Sequence, residues 1–114
     1  QNAVVQYRWW AKDTNGQWNS TALLNMTVLY YTNMTVGWNI FSPYSVDLNH
    51  TLAQVNASLV SDALNWTEVV LEYPNGTRYI FMFDFGGDAA VPVVGNSTFY
   101  VLVNVAGTWF HNYP

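Results

Sequence analysis

The stretch Glu68–Asp84, EVVLEYPNGTRYIFMFD, decides the fold. Two runs of β-branched and aromatic residues flank Pro74-Asn75-Gly76, where proline presets φ for the first turn position and Gly76 is free to take positive φ. A three-residue loop sets Tyr73 opposite Thr77, Glu72 opposite Arg78, Leu71 opposite Tyr79 and Val69 opposite Phe81. One face of the hairpin is then apolar, and the other carries a cross-strand ion pair. A two-residue Asn-Gly loop would ask Pro74 for a ladder N–H that it lacks.

On the N-terminal side, Ala3–Trp10 alternates Ala3, Val5, Tyr7, Trp9 against Val4, Gln6, Arg8, Trp10, the pattern of a strand with one wholly apolar face. Lys12–Ser20 is a turn cluster pivoting on Asn15-Gly16. Thr21–Tyr31 and Met34–Phe41 read as two strands of a hairpin joined at Thr32-Asn33, with Met34, Val36, Trp38 and Ile40 pointing inward. Ser42–Asn49 is a loop. In His50–Val60, Leu48, Leu52, Val55 and Leu59 sit at helical spacing with Asp47 as a possible cap. Its Thr, Val and Asn content nevertheless favours a strand, with Ala53, Val55, Ala57 and Leu59 inward.

On the C-terminal side, Gly86-Gly87-Asp88 closes the hairpin, and Pro92 puts Val91–Val94 at a sheet edge or outside the sheet. Gly95-Asn96 turns the chain into Ser97–Val105, whose inward row is Phe99, Val101, Val103 and Val105. A short strand over Trp109–Tyr113 ends the chain. Seven to nine strands with turns every ten residues or so predict an all-β, immunoglobulin-like sandwich. The paired cysteines of immunoglobulin domains are absent, while Trp38 suits the core position of their tryptophan.

A chain of 114 residues makes one domain. Its charged residues amount to 9%, far below the roughly 25% of ordinary soluble domains, so its surface needs another source of solubility. Arg8, Lys12 and Arg78 are the only cations against a net charge of −4, which argues against nucleic-acid binding. No apolar run reaches 18 residues, so no membrane span is expected. Gln1 opens close to a strand, as in a secreted chain after processing. With no Cys, no disulfide staples the fold, and core, glycans or partner subunits must stabilise it.

The sequon Asn-x-Ser/Thr occurs at Asn19, Asn25, Asn33, Asn49, Asn56, Asn65, Asn75 and Asn96. Chance placement of the Asn, Ser and Thr present would give about two. Asn25, Asn33 and Asn56 fall off the inward rows of their segments, and Asn75 and Asn96 sit in turns. Eight sequons, five of them on outward or turn positions, predict an extracellular chain with many N-linked glycans. Asn and Thr that merely decorate loops would also face outward, so the excess in number carries most of that expectation.

Candidate chemistry is sparse. His50 and His111 stand alone, without Cys or carboxylates at ligand spacing, and read as surface or edge residues; no metal site is expected. Asp84 and Asp88 are too few carboxylates to define a calcium site. Glu68 and Glu72 lie about 13 Å apart along one strand, outside the range of glycosidase pairs. Lys12 reads as a solvated turn residue. No nucleophile has a base nearby in sequence, so no catalytic residue and no cofactor is expected. Trp9, Trp10, Trp18, Trp66 and Trp109 would suit a sugar-stacking platform, which gives an alternative reading as a secreted carbohydrate-binding module. An immunoglobulin-like ectodomain of a larger chain is a further possibility.

The terminal strand is the remaining candidate for function. Ala3, Val4, Val5, Gln6, Tyr7, Arg8, Trp9 and Trp10 form a ribbon of roughly 26 Å, able to pair within its own chain or with another copy. Burying its apolar row would contribute on the order of 5–10 kcal/mol gross. Donation to a neighbour by β-augmentation would complete the fold and link subunits head to tail in an open filament. The expected division is a donor tail over 1–11 and a head over 12–114.

A small, Cys-free, charge-poor, sequon-dense β domain with an extended N-terminal segment resembles the subunit of archaeal thread filaments, itself similar in architecture to bacterial type I pilins. The resemblance implies a heavily glycosylated, cell-surface homopolymer joined by donor-strand complementation, serving adhesion or biofilm formation, with Ala3–Trp10 as donor. No stretch reads as the hydrophobic N-terminal helix of type IV pilins, which argues against archaella and adhesion pili; archaeal bundling pili, also donor-strand filaments, are a close alternative. The few carboxylates suit an acidic habitat.

Overall fold

The structure, a computed structural model, describes residues 2–20 and 23–113, with the backbone alone for Asn2, Ala3 and Leu24–Leu29. Among the described residues the strands are β1 (Asn2–Tyr7), β2 (Trp10–Lys12), β3 (Trp18–Ser20), β4 (Leu24–Leu29), β5 (Thr32–Met34) and β6 (Gly37–Phe41). After a short 3₁₀ turn at Ser45–Asp47 and helix α1 (Leu52–Ser61) come β7 (Trp66–Glu72), β8 (Arg78–Met82), β9 (Gly86–Gly87), β10 (Thr98–Val103) and β11 (Gly107–Trp109). The chain is mostly β, with one α-helix among the described residues.

The Pro74 hairpin forms in the expected register. Glu72 pairs with Arg78, Leu71 with Tyr79 and Val69 with Phe81. The Tyr73 N–H donates to the Thr77 carbonyl at 2.8 Å, Gly76 takes φ 86°, and Arg78 reaches Glu72 at 3.7 Å. This hairpin belongs to a five-stranded antiparallel sheet of order β6-β10-β7-β8-β9. Pro92 lies outside it, in an isolated bridge to Thr51.

The inner face of this sheet presents Val69, Leu71, Phe81, Phe99, Val101 and Val103 to a single core. Leu52, Val55 and Leu59 of α1 join them, with Met34 of β5 and Trp109 of β11, whose two strands pair as a separate ribbon. Val105, expected in the inward row, lies beyond the end of β10 and is exposed.

Three expectations are corrected. His50–Val60 is not a strand: Leu52–Ser61 is helical, because Thr51 caps it by accepting from Gln54 N while Gln54 Oε1 accepts from Thr51 N. That reciprocal bond satisfies two end groups, and the apolar 3.6-residue spacing then outweighs the β preference of Val and Thr. Leu52, Val55, Ser58 and Leu59 form its buried face.

The second correction concerns Thr21–Tyr31 and Met34–Phe41, which do not form a hairpin together. β4 turns back to pair with β1, β5 pairs with β11, and β6 joins β10. Third, Val36, Trp38 and Ile40 point outward rather than into the core. Gly37 at φ 103° resets the alternation after Met34, and Phe41 turns inward against Phe99 and Trp109.

Residues 2–20 and 23–29 supply a long, twice-paired hairpin, none of whose described side chains belongs to this core. β1 runs antiparallel to β4, from Asn2 opposite Leu29 to Tyr7 opposite Leu24, and β2 pairs with β3 beyond it. Asp13 closes the tip by accepting from Asn15 N at 2.9 Å and from Gln17 N at 2.8 Å. Every residue from Val4 to Ser20 is exposed. The molecule measures 69 × 31 × 23 Å with a radius of gyration of 19.4 Å, against about 13 Å for a compact chain of this length.

Candidate functional site

The arm is built from alternating sequence and turn chemistry alone, since none of its described side chains enters the core. Its described apolar side chains therefore face water: Val4 is 65% exposed, Trp9 68%, Trp10 60% and Trp18 62%. Arg8 lies 5.9 Å over the Trp10 ring and Lys12 5.9 Å over the Trp18 ring, so two of the three cations cover aromatic faces here. Of the residues expected as donor strand, Ala3 to Tyr7 lie in β1, paired with β4 of the same chain, and Arg8 and Trp9 lead into β2, which begins at Trp10. Ala11, where the expected donor tail ends, lies in β2 opposite Asn19 of β3; the side chains from Val4 to Ser20 are exposed, and Tyr30 is half-buried.

The five tryptophans of the sugar-platform reading separate. Trp66 and Trp109 are in the core, whereas Trp9, Trp10 and Trp18 are on the arm. A groove of about 230 Å³ there is lined by Trp9, Trp10, Ala11, Asn19 and Ser20.

Among the sequons, Asn19, Asn33, Asn49, Asn65, Asn75 and Asn96 are exposed and Asn56 is half-buried. Asn25 belongs to β4, and its side chain lies outside the described ones. At the hairpin tip Asn75 Oδ1 accepts from Thr77 N at 3.0 Å, an Asx turn that leaves the amide toward solvent. Asn65 and Thr67 border a polar cleft of about 460 Å³ and both bond Asn104. Asn56 differs, for the hydroxyl of its sequon partner Ser58 is buried and accepts from Trp109 Nε1 at 2.8 Å.

The outer face of the five-stranded sheet carries the second apolar surface. Cross-strand registers line up Trp38, Leu102, Glu68 and Met82 in one row and Ile40, Tyr100, Val70 and Ile80 in the next. Trp38 is 51% exposed and Ile40 66%. A groove of about 350 Å³ among Trp38, Ile40, Val70, Arg78 and Tyr100 opens on this face. The alternation of Trp38 and Ile40 against Phe41 was the available signal, and the parity change at Gly37 hid which set would face out.

Sequence reasoning placed His111 at the surface, and the structure buries it completely. Its Nδ1 donates to Asp47 at 2.8 Å, its Nε2 shares a 2.7 Å bond with Thr32 Oγ1, and its ring stacks on Trp109 at 3.7 Å. Asp47 also accepts from Tyr113 OH at 2.5 Å and from Tyr44 N at 2.8 Å. Hydroxyl, imidazole and carboxylate stand in the order of a nucleophile triad. Full burial of His111 keeps a substrate from the imidazole, and the network instead ties β5, the 3₁₀ turn and the C-terminal segment together. His50, half-buried, stacks on Tyr113 at 3.8 Å.

Asp88 accepts from Ile80 N at 2.9 Å and braces a turn, and Asp84 lines the polar cleft. No group of three or more His, Cys, Asp or Glu comes together among the described residues. Among them, too, no helix is long and apolar enough to cross a membrane. Compared with family models, curated proteins and solved structures, the chain matches none.

Proposed function

We propose that the chain is the structural subunit of an extracellular, N-glycosylated surface filament, a homopolymer joined head to tail through its N-terminal arm and serving adhesion or biofilm formation. The observation that carries this reading is the arm itself, which holds Val4, Val5, Tyr7, Trp9, Trp10 and Trp18 exposed outside a core to which its described side chains do not contribute. A two-stranded ribbon is marginal in water by itself, so such an arm gains by packing on something outside the chain. Docking of an arm onto a different surface of the next copy is heterologous, and its repetition gives an open filament. Donor-strand complementation here involves a strand already paired with β4, so the arm is donated as a two-stranded unit. Six exposed sequon asparagines support the glycan coat, which would supply the solubility that so few charges do not.

Negative-stain microscopy with size-exclusion chromatography tests the reading. The chain forms filaments at micromolar concentration, and the Val5→Glu/Tyr7→Glu variant elutes as a monomer. A chain that stays solitary at all concentrations overturns it. The second reading, a carbohydrate-binding module, draws on Trp9, Trp10 and Trp18 beside their groove, and a monomer that binds oligosaccharides would establish it instead.

A further inference from the structure

We propose that the outer face of the five-stranded sheet, at the free edge of β6, receives the arm of a second copy. This rests on the assembly reading above and names the surface that completes it.

Among the described residues the face and the arm are two apolar surfaces left open, and neither covers the other in the same molecule. Trp38, Ile40 and Ile80 are exposed on one, and Val4, Val5, Trp10 and Trp18 on the other. The groove among Trp38, Ile40, Val70, Arg78 and Tyr100 offers a place for an arm side chain beside the Trp38 ring, with Arg78 lying 5.3 Å over the Tyr100 ring. β6 is the last strand of its sheet among the described residues, so its outer edge carries N–H and C=O groups without a ladder partner. Its five residues match the six of β1, whose own outer edge is open in the same way.

Area and charge point to the same occupant. The chain exposes 7054 Å², about 700 Å² more than the roughly 6,300 Å² of a compact monomer of its mass. A standard interface takes about 800 Å² from each partner. Arg8 and Lys12 against Asp13 leave the arm at +1, whereas Arg78 against Asp47, Asp62, Glu68, Glu72, Asp84 and Asp88 leaves the body at −5, together the chain's −4. Glu68 and Glu72 stand on the outer face itself, in register with Leu102 and Thr98. A basic arm is thus steered to an acidic body, and two arms repel each other.

The absence of Cys makes cross-linking a clean test. Chains with Val5→Cys or Tyr7→Cys are mixed with chains carrying Ile40→Cys, or Val60→Cys on the exposed side of α1, and oxidised under assembly conditions. Disulfides between arm cysteines and Ile40→Cys are expected at about ten times the yield of those to Val60→Cys, since bridging needs Cα atoms within about 7 Å. Ile40→Glu, on an exposed position, is expected to keep its melting temperature and to need about thirtyfold more protein to assemble. Filaments that form equally well from Ile40→Glu, or arm cysteines that capture Val60→Cys as readily, overturn the face while leaving the filament reading intact. A wild-type chain that never assembles overturns both.

Discussion

Asp47 exposes no surface, yet His111, Tyr113 and the Tyr44 backbone all donate to it. Such a group is tolerated inside a protein because its acceptor capacity is filled. Tyr113 reports on this environment: burial first, then the Asp47 charge and the hydrogen bond to it, push its hydroxyl well above the usual tyrosine range. A folded-state pKa raised above the unfolded value near 10 contributes stability that is whole below about pH 10 and is lost as pH rises beyond it. Urea unfolding should therefore show stability falling above pH 10, with up to about 1.4 kcal/mol per pH unit from this hydroxyl. Tyr113→Phe should make that alkaline limb shallower. Tyr73, also raised by burial and by Tyr79, keeps part of it in the variant. An unchanged limb in Tyr113→Phe would show that Tyr113 ionises alike in both states.

At the scale of elements, α1 separates the sequons. A glycosyltransferase must reach both the Asn amide and the hydroxyl two residues on, but Ser58 lies under Trp109 in the packed helix. Asn75 presents Thr77 in an exposed Asx turn. Glycopeptide mass spectrometry of the native chain should find Asn75 occupied and Asn56 largely bare; equal occupancy would mean that sugar is added before α1 packs. The same helix shows where the sequence was hard to read. Pro74-Asn75-Gly76 carries its hairpin in local turn chemistry, so the register was legible to the residue. The cap expected at Asp47 is instead Thr51, whose bond with Gln54 closes the helix end, and the β preference of the residues after it pulled toward a strand. Trp38 and Ile40 needed the backbone reset at Gly37, which follows from pairing β5 with β11 rather than with β6. The Asp47–His111 bond joins residues 64 positions apart, and no local pattern announces it. In the arm, the alternation of Ala3–Trp10 and the turn at Asn15-Gly16 were visible, whereas nothing in the sequence named β4 as the partner of β1.

For the whole molecule, the described core is built without the arm's described side chains. Its buried members run from Met34 to Trp109, and none of the arm's described side chains is among them. Tyr30 and Tyr31 mark the join, where Tyr30 meets the Tyr44 ring at 5.6 Å and Tyr44 OH donates to the Tyr31 carbonyl at 3.0 Å. Burial of the first strand's apolar row in a core would have made that strand necessary to the fold. With the described part of that row in solvent instead, a chain starting at Tyr30 keeps the five-stranded sheet, α1 and the β5–β11 ribbon whole. It should unfold cooperatively within about 1 kcal/mol of the full chain, as changes away from a core do, with thermal and urea melts followed by near-ultraviolet circular dichroism. The truncated body should also stay monomeric while keeping its open sheet face, and so should bind the arm when full chains are added, capping filament growth. A truncated body that melts far below the full chain, or fails to fold, would mean that the arm packs on the core in solution.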